Sequence, residues 1–159
     1  MTDRTLLTAG DPAPDFTLTD QNGTTHTLSE LRGTGVVLFF YPAAMTPGCT
    51  TEACDFRDSV AGFAEAGYRV FGISKDTVEK QLRFAERDSL DYPLLSDPEL
   101  GTHIAYGAYG DKMNYGKVVQ GVIRSTFVIG ADGAIEHALY NIKATGHVAR
   151  VKKLLGIGA

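Results

Sequence analysis

The sequence predicts one α/β domain in which helices cover a sheet of parallel and antiparallel strands. Two runs, at residues 36–40 and 68–73, are apolar on both faces, which is typical of strands buried on both sides of a sheet. A stretch with helical periodicity separates them, so they form a β-α-β unit with parallel strands. Further along, runs at Ser125–Ile129 and 135–140 flank turn residues at 131–133 and predict an antiparallel hairpin.

The elements around the first central strand are predicted from turn and capping residues. A short strand at 15–18 and a return strand at 25–28 flank Asn22-Gly23, a strong hairpin signal, so an N-terminal hairpin precedes the central strands. The helix after the first central strand is expected to run unbroken from Pro47 to about residue 66. Gly67 then suits the position just past the helix.

Four further segments complete the predicted fold. Ser74 or Asp76 caps a helix that ends near residue 87. A brief strand at 94–95 leads into a short helix that ends near residue 106. Residues 107–121, rich in glycine and tyrosine, are predicted to form a loop, and a last helix begins at 145–146.

Length and composition bound the function. A chain of 159 residues is predicted to be one domain, residues 1–159, that buries about two-thirds of its unfolded surface without disulfides. Its net charge of −4 argues against a nucleic-acid surface, which requires clustered Lys and Arg. No apolar run approaches the roughly 20 residues of a membrane span, and the first residues lack the apolar centre of a signal peptide. We therefore expect a cytoplasmic protein, where a close cysteine pair is more often catalytic or metal-binding than structural.

Both cysteines, Cys49 and Cys54, lie within residues 41–54, directly after the first central strand. Three interpretations are available. Two inert core thiols are disfavoured by the adjacent Pro47-Gly48, which mark a specialised backbone. A metal site would need two more ligands, and the 4 histidines are scattered without a His-x3-His pair. The pattern favours redox or nucleophilic chemistry.

The start of the predicted helix explains how a cysteine there becomes reactive. Thr46 is a favourable N-cap and Pro47 a favourable first residue, which puts Cys49 in the first turn, where free N–H groups and the helix dipole favour a thiolate. Lowering a thiol pKa from about 8.5 to about 6 requires about 3.4 kcal/mol, whereas a helix terminus supplies about 0.3–1 and at most about 2 kcal/mol. A cation must therefore contribute, and Arg57, Arg124 and the lysines are the candidates.

The residues around the cysteines resemble one known family. Pro42-x3-Thr46-x2-Cys49 is similar to the active-site motif of peroxiredoxins, and the run on through Glu52 and Cys54 resembles their bacterioferritin-comigratory-protein, or peroxiredoxin Q, subgroup. Further segments similar to that subgroup span most of the chain: Gly10-Asp-x-Ala-Pro-x-Phe16, Gly72-Ile-Ser74, Pro93-Leu-Leu-Ser-Asp97, Tyr115-Gly-Lys117 and Gly121-x2-Arg124-x-Thr-Phe127.

The resemblance implies a thioredoxin-like fold, here with an N-terminal β-hairpin extension, and a peroxidase that needs no cofactor. Cys49 would be the peroxidatic cysteine and Cys54 the resolving cysteine. Thr46 and Arg124 would orient the peroxide and stabilise charge on the breaking O–O bond, and Pro42 would shape the loop and shield the thiolate. The implied partners are peroxides and thioredoxin or a similar thiol reductant, and the subgroup is often monomeric.

Two other functions remain compatible with the cysteine pair. A thiol–disulfide oxidoreductase would use the same fold, although thioredoxins have the spacing Cys-x2-Cys rather than the Cys-x4-Cys found here. A copper chaperone would need a histidine near the pair, yet no histidine lies between His26 and His103. Met45 departs from the small or polar residue usual in the resembling motif, and nothing in the sequence explains it.

The spacing of the cysteines also predicts a conformational change. Five residues along an ideal helix separate Cα atoms by roughly 8.6 Å, whereas a disulfide needs less than about 7 Å. A Cys49–Cys54 bond therefore cannot form while the helix is intact, and the oxidised protein is expected to lose part of this helix.

Overall fold

Seven strands form the central sheet in the computed structural model, which describes residues 6–114 and 116–157. The strands are β1 (Thr17–Thr19), β2 (Thr25–Thr27), β3 (Gly35–Phe40), β4 (Tyr68–Ser74), β5 (Leu94–Ser96), β6 (Tyr109–Asn114), β7 (Lys117–Val122), β8 (Ser125–Ile129) and β9 (Ile135–Leu139), and the helices are α1 (Pro47–Arg57), α2 (Val60–Glu65), α3 (Val78–Asp88), α4 (Gly101–Ala105) and α5 (His147–Leu154). The sheet order is β2-β1-β5-β4-β3-β8-β9, while β6 and β7 pair with each other in a separate ribbon.

The sheet is mixed, as the sequence predicts. β3 pairs in parallel with β4 and antiparallel with β8, and β4 pairs in parallel with β5. The N-terminal hairpin of β1 and β2 joins the sheet through β1, which pairs antiparallel with β5. The predicted α/β class, with its central mixed sheet and N-terminal hairpin, is confirmed.

Side chains of β3 contribute to two hydrophobic clusters, one on each face of the sheet. Every residue of Gly35–Phe40 is buried. Val37 and Phe39 belong to a cluster that also contains Phe56 of α1. Leu38 and Phe40 belong to the other cluster, since successive side chains of a strand point to opposite faces. The helix that carries both cysteines therefore packs on the Phe39 face of the sheet.

The helix after β3 is shorter than the sequence predicts. The expectation of an unbroken helix over 47–66 is wrong, because the helix is interrupted at Asp58 and Ser59. There the Ser59 N–H donates to the Phe56 carbonyl at 2.9 Å, the tighter pattern of a 3-10 turn. Asp and Ser side chains compete with the helical backbone for hydrogen bonds, which makes both residues unfavourable inside a helix. Gly67 does follow the second helix with φ of 89°, as predicted.

The β6–β7 ribbon, Tyr109–Asn114 and Lys117–Val122, lies where the sequence predicts a loop over 107–121. The two strands pair antiparallel, with Tyr109 opposite Val122 and Lys112 opposite Val119. The loop prediction is wrong because a strand is recognised in a sequence by alternating apolar and polar residues, and this segment lacks that alternation. Its strands do not bury every apolar side chain, since Val118 is 65% exposed. Tyr115, quoted above in a resembling segment, lies outside the described residues.

The N-cap of α3 also differs from the prediction. Neither Ser74 nor Asp76 caps this helix: Thr77 does, and its side-chain oxygen accepts from the Lys80 N–H at 3.2 Å. Asp76 instead accepts from the Ala44 N–H, in the loop after β3, at 2.7 Å. The other predicted elements, β5, α4, the β8–β9 hairpin and α5, are confirmed.

Candidate active site

The loop after β3 places Cys49 at the start of α1. The helix begins at Pro47, preceded by Thr46 in extended backbone (φ −83°, ψ 154°), so Cys49 is the third helical residue, as predicted. The Thr46 side chain, however, does not cap the helix: its hydroxyl donates to the Ala43 carbonyl at 2.8 Å. Thr46 therefore tightens the loop, and the first-turn N–H groups keep their partial positive charge for an anion such as a thiolate.

Strand pairing brings Arg124 to the same place. β8 lies antiparallel to β3, with Ser125 opposite Phe40. The residue before Ser125 consequently lies beside the loop that follows Phe40, and Arg124 Nη2 donates to Cys49 Sγ at 3.3 Å. Of the two arginines considered from the sequence, Arg124 contacts this thiol, whereas Arg57 donates to the C-terminal end of α3.

Glu52 belongs to the same cluster, although sequence reasoning gave it no role. Its side chain is fully buried, and its Oε1 accepts from Arg124 Nη1 at 2.6 Å. Its Oε2 has no hydrogen-bond partner among the described residues. Burial raises the pKa of Glu52 to about 7, against the opposing effect of Arg124. The spacing could have indicated this position, because a residue three after Cys49 lies on the same helix face.

The peroxidatic candidate is almost inaccessible in this state. Cys49 is 1% exposed, while Pro42 is half-buried and Thr46 is exposed in the loop that precedes α1. Met45, on the same loop, has φ of 67°, a left-handed conformation that side chains other than glycine rarely adopt. Such burial keeps a large reactant away from Cys49 while this conformation persists.

A buried polar network ties the loop to the sheet and to α3. The Tyr41 hydroxyl donates to Gln81 Oε1, and Gln81 Nε2 donates to Ser74 Oγ at 2.9 Å. Asp76 Oδ2 accepts from Ser74 Oγ and from the Ala44 N–H, each at 2.7 Å. Because buried polar groups are costly unless they are hydrogen-bonded, this network holds the loop backbone in one conformation.

Cys54 lies five residues further along α1, in a different environment. It is half-buried, and both cysteines are free thiols. Burial raises the pKa of Cys54, with Arg57 opposing and the carboxylates of Asp88, Asp58 and Asp55 adding to the rise. The helix is continuous across both cysteines, so the geometry predicted from an ideal helix applies and the pair cannot bond in this state.

The sequence matches a known family over most of its length. The family model described as AhpC/TSA matches residues 9–138. This chain belongs to the AhpC/TSA family. Its cysteine helix and the Arg124 strand both lie within the matched residues.

Individual relatives narrow the branch of the AhpC/TSA family. The chain is 54% identical over 157 residues to a putative peroxiredoxin of Mycobacterium tuberculosis, a match that covers 99% of this chain and 100% of that one. It is 45% identical over 141 residues to peroxiredoxin Bcp of Escherichia coli, covering 89% and 90%. A solved structure of the Xanthomonas campestris bacterioferritin comigratory protein is 32% identical, with a TM-score of 0.85 and coverage of 97% and 98%. The predicted subgroup, the thioredoxin-like peroxiredoxin fold and the thiol-peroxidase class are confirmed.

The AhpC/TSA-family domain contains no evident metal-ligand cluster in its described part. Within residues 6–114 and 116–157, no group of three or more His, Cys, Asp or Glu side chains could hold a metal ion. The metal interpretation of the cysteine pair thus finds no ligand set there. In the same part of the chain, no helix combines the length and apolarity needed to cross a membrane.

Proposed function

We propose that this peroxiredoxin reduces hydrogen peroxide and organic hydroperoxides with Cys49 as the attacking thiolate. The sulfur attacks one peroxide oxygen, the O–O bond breaks, and the leaving oxygen takes up a proton as water or an alcohol. Cys49 becomes a sulfenic acid, which the Cys54 thiol then attacks, releasing water and forming a disulfide. Two thiols of an external donor reduce that disulfide by exchange.

The contact between Arg124 and Cys49 carries this proposal. A helix terminus alone supplies too little free energy to stabilise a thiolate strongly. A hydrogen bond to a charged group contributes about 1.5–3 kcal/mol, and the helix start adds about 0.3–2 kcal/mol. In this proposal the same guanidinium stabilises the negative charge that develops on the breaking peroxide, and Thr46 and Pro42 contribute from the loop before α1.

Glu52 acts as a positioning residue for Arg124 in this proposal. It holds Nη1 at 2.6 Å while Nη2 contacts Cys49, so the planar guanidinium is fixed by both ends of its fork. An ionised Glu52 also offsets part of the positive charge that Arg124 offers the sulfur. The protonation state of Glu52 therefore couples to the reactivity of Cys49.

Resolution by Cys54 requires local opening of α1. Cys49 and Cys54 lie on one continuous helix, whose geometry keeps their Cα atoms too far apart for a disulfide. Gly48 and the β-branched Thr50 and Thr51 at its start are poor helix formers, which favours opening of this end. Opening also exposes Cys54 to a reductant.

The remaining assignments concern substrate, donor, location and assembly. The relative from Xanthomonas campestris is described by its alkyl peroxide reduction activity, which supports organic hydroperoxides as substrates here. We assign thioredoxin or a similar dithiol protein as the reductant, the cytoplasm as the location, and a monomer as the working form. A thiol–disulfide oxidoreductase is disfavoured by the Cys-x4-Cys spacing and by the burial of Cys49, which is 1% exposed while α1 is folded.

Stopped-flow measurement of peroxide consumption, with and without thioredoxin, tests the function. Without thioredoxin, the reduced protein is expected to consume about one peroxide per chain and stop, because the disulfide is not recycled. With thioredoxin and its reductase, turnover continues. Failure of the reduced protein to consume any peroxide would refute the proposal, and turnover with a different dithiol alone would reassign the donor.

A further inference from the structure

Three contacts connect α1 to one short segment, residues 87–92, at the end of α3 and in the turn that follows. We propose that this segment is a clamp that holds α1 folded and thereby sets the rate at which Cys54 reaches Cys49. The inference rests on the proposed function, because it concerns the step in which the disulfide forms. It assigns control of that step to residues outside the motif that carries both cysteines.

The first contact lies in the middle of α1. The Tyr92 hydroxyl, on a side chain that is 3% exposed, donates to the Ala53 carbonyl at 2.7 Å. That carbonyl belongs to the peptide leading directly into Cys54. If Cys54 moves towards Cys49 by unwinding of this turn, the Ala53 carbonyl moves with it and the bond to Tyr92 breaks.

The second contact holds the start of α1. Arg87 Nη2 donates to Thr50 Oγ1 at 2.8 Å, and Nη1 lies 3.5 Å from the Met45 carbonyl oxygen. Thr50 is the residue after Cys49. The Arg87 side chain is 46% exposed, so solvent competes for these bonds and they stabilise α1 less than the buried Tyr92 bond does.

The third contact holds the end of α1. Arg57 Nη1 donates to the Asp88 carbonyl at 2.6 Å. Asp88 is the last residue of α3, where carbonyl groups lack helical partners and a cation is favourable. The start, middle and end of α1 are thus all bonded to one neighbouring segment, and no contact of the three involves a cysteine.

A clamp of this kind affects the two chemical steps differently. Attack on peroxide uses the folded helix, which stays the predominant state when one hydrogen bond is lost. Disulfide formation uses the open helix, whose population rises as the clamp weakens. Weakening the clamp therefore speeds resolution and shortens the time in which the Cys49 sulfenic acid can be over-oxidised by more peroxide.

Tyr92→Phe, compared with Tyr106→Phe, tests the clamp. Each variant removes one buried hydroxyl that donates to a backbone carbonyl, at 2.7 Å to Ala53 and at 2.6 Å to Pro14 respectively, and each keeps its ring. Amide exchange over residues 50–57 of the reduced protein is expected to quicken about fivefold in Tyr92→Phe, the loss of one typical hydrogen bond. In Tyr106→Phe, exchange over the same residues stays at the wild-type rate. Disulfide formation after one equivalent of peroxide is expected to quicken by the same factor, with peroxide attack unchanged.

A second variant keeps the clamp testable if Tyr92→Phe does not fold correctly. Arg87→Gln changes an exposed side chain, leaves no cavity, and is expected to quicken exchange over residues 50–57 about twofold. Equal exchange in wild type, Tyr92→Phe and Arg87→Gln would overturn the clamp, as would faster exchange without faster disulfide formation. Absence of peroxide consumption by the wild type would refute the proposed function and the clamp's catalytic consequence together. A missing exchange difference in an active enzyme would overturn the clamp alone.

Discussion

The two ends of α1 carry the same functional group in different electrostatic surroundings. Cys49 is in the first turn, buried, and contacted by the Arg124 guanidinium at 3.3 Å. Cys54 is near the last turn and half-buried, and burial together with three carboxylates raises its pKa against the opposing effect of Arg57. The helix dipole adds partial positive charge at the start of α1, near the Arg124 guanidinium, and partial negative charge at its end, near the carboxylates. One helix therefore carries two thiols in different surroundings: Cys49 contacts a guanidinium, and Cys54 has a raised pKa.

This difference divides the proposed chemistry between the cysteines. A thiolate attacks peroxide, whereas a neutral thiol does so poorly. In the proposed chemistry Cys54, with its raised pKa, leaves peroxide to Cys49 and attacks the sulfenic acid once the helix opens and Cys54 moves away from Asp88 of α3. The following substitutions alter one end at a time.

The largest expected effect comes from exchanging each cysteine for serine. Cys49→Ser is expected to abolish peroxide reduction, because a hydroxyl has neither the acidity nor the softness of a thiolate. Cys54→Ser is expected to consume about one peroxide per chain and then stall or over-oxidise in the thioredoxin-coupled assay. Mass spectrometry of the peroxide-treated variants locates the sulfenic acid. A stable sulfenic acid on Cys54 of Cys49→Ser would reverse the assignment.

Removing the cation at the start of α1 is expected to have the next largest effect. Arg124→Ala loses a donor to both the thiolate and the transition state, which lowers the rate of peroxide attack by about 10²–10³-fold. Arg57→Ala, the matched removal of an arginine at the other end, is expected to change that rate less than about threefold. Alkylation of Cys49 by iodoacetamide across a pH series reports its thiolate directly. Superimposed alkylation profiles for wild type and Arg124→Ala would exclude Arg124 from stabilising the thiolate.

The raised pKa of Glu52, which lies between the two ends of α1, leads us to expect that stability depends on pH. Its pKa is raised to about 7 in the folded protein, from about 4.3 in an unfolded chain. Between these values the unfolded state releases a proton that the folded state retains, so the contribution of Glu52 to the free energy of unfolding falls as pH rises and levels off above about 7. Between pH 4.5 and 8, the free energy of unfolding of the wild type is expected to fall by about 1–3 kcal/mol relative to that of Glu52→Gln. Denaturant unfolding across that range measures the difference, and parallel curves for the two proteins would contradict it.

The smallest expected effect concerns the carboxylates around Cys54. In a Cys49→Ser background, Asp55→Asn removes one of the charges that raise the pKa of Cys54, so its alkylation at pH 7.5 is expected to quicken about twofold. Asp111→Asn, on the β6–β7 ribbon, changes the net charge equally and is expected to leave the rate unaltered. If both variants alkylate Cys54 at one rate, its carboxylate neighbours do not govern its ionisation.

The pattern of neighbouring residues predicts where α1 begins but does not predict where it ends. Pro47 and the apolar run of β3 predict where the helix begins, because capping and burial are read from adjacent residues. The break at Asp58 and Ser59 was missed, since the apolar periodicity continues through it. The carboxylates near Cys54 include Asp88 of α3, whose proximity depends on how two helices pack.

The site shows the same division between local and long-range information. The resemblance indicated Arg124, yet its contact with Cys49 depends on the pairing of Ser125 with Phe40, residues far apart in the chain. Helical spacing alone could place Glu52 on the same face as Cys49, but it could not predict that Glu52 is buried or that it bonds to Arg124. Tyr92 gave no signal in the sequence, because its partner is a backbone carbonyl.

Amide hydrogen exchange of the wild type in its two redox forms tests the central claim most directly. In the proposed mechanism Cys49 and Cys54 perform separate steps at opposite ends of one helix and meet only when that helix opens. Exchange over residues 49–56 is therefore expected to be slow in the reduced protein and much faster after oxidation by one equivalent of peroxide. Equal protection of these residues in the two forms would contradict the account, because an intact α1 cannot contain a Cys49–Cys54 disulfide.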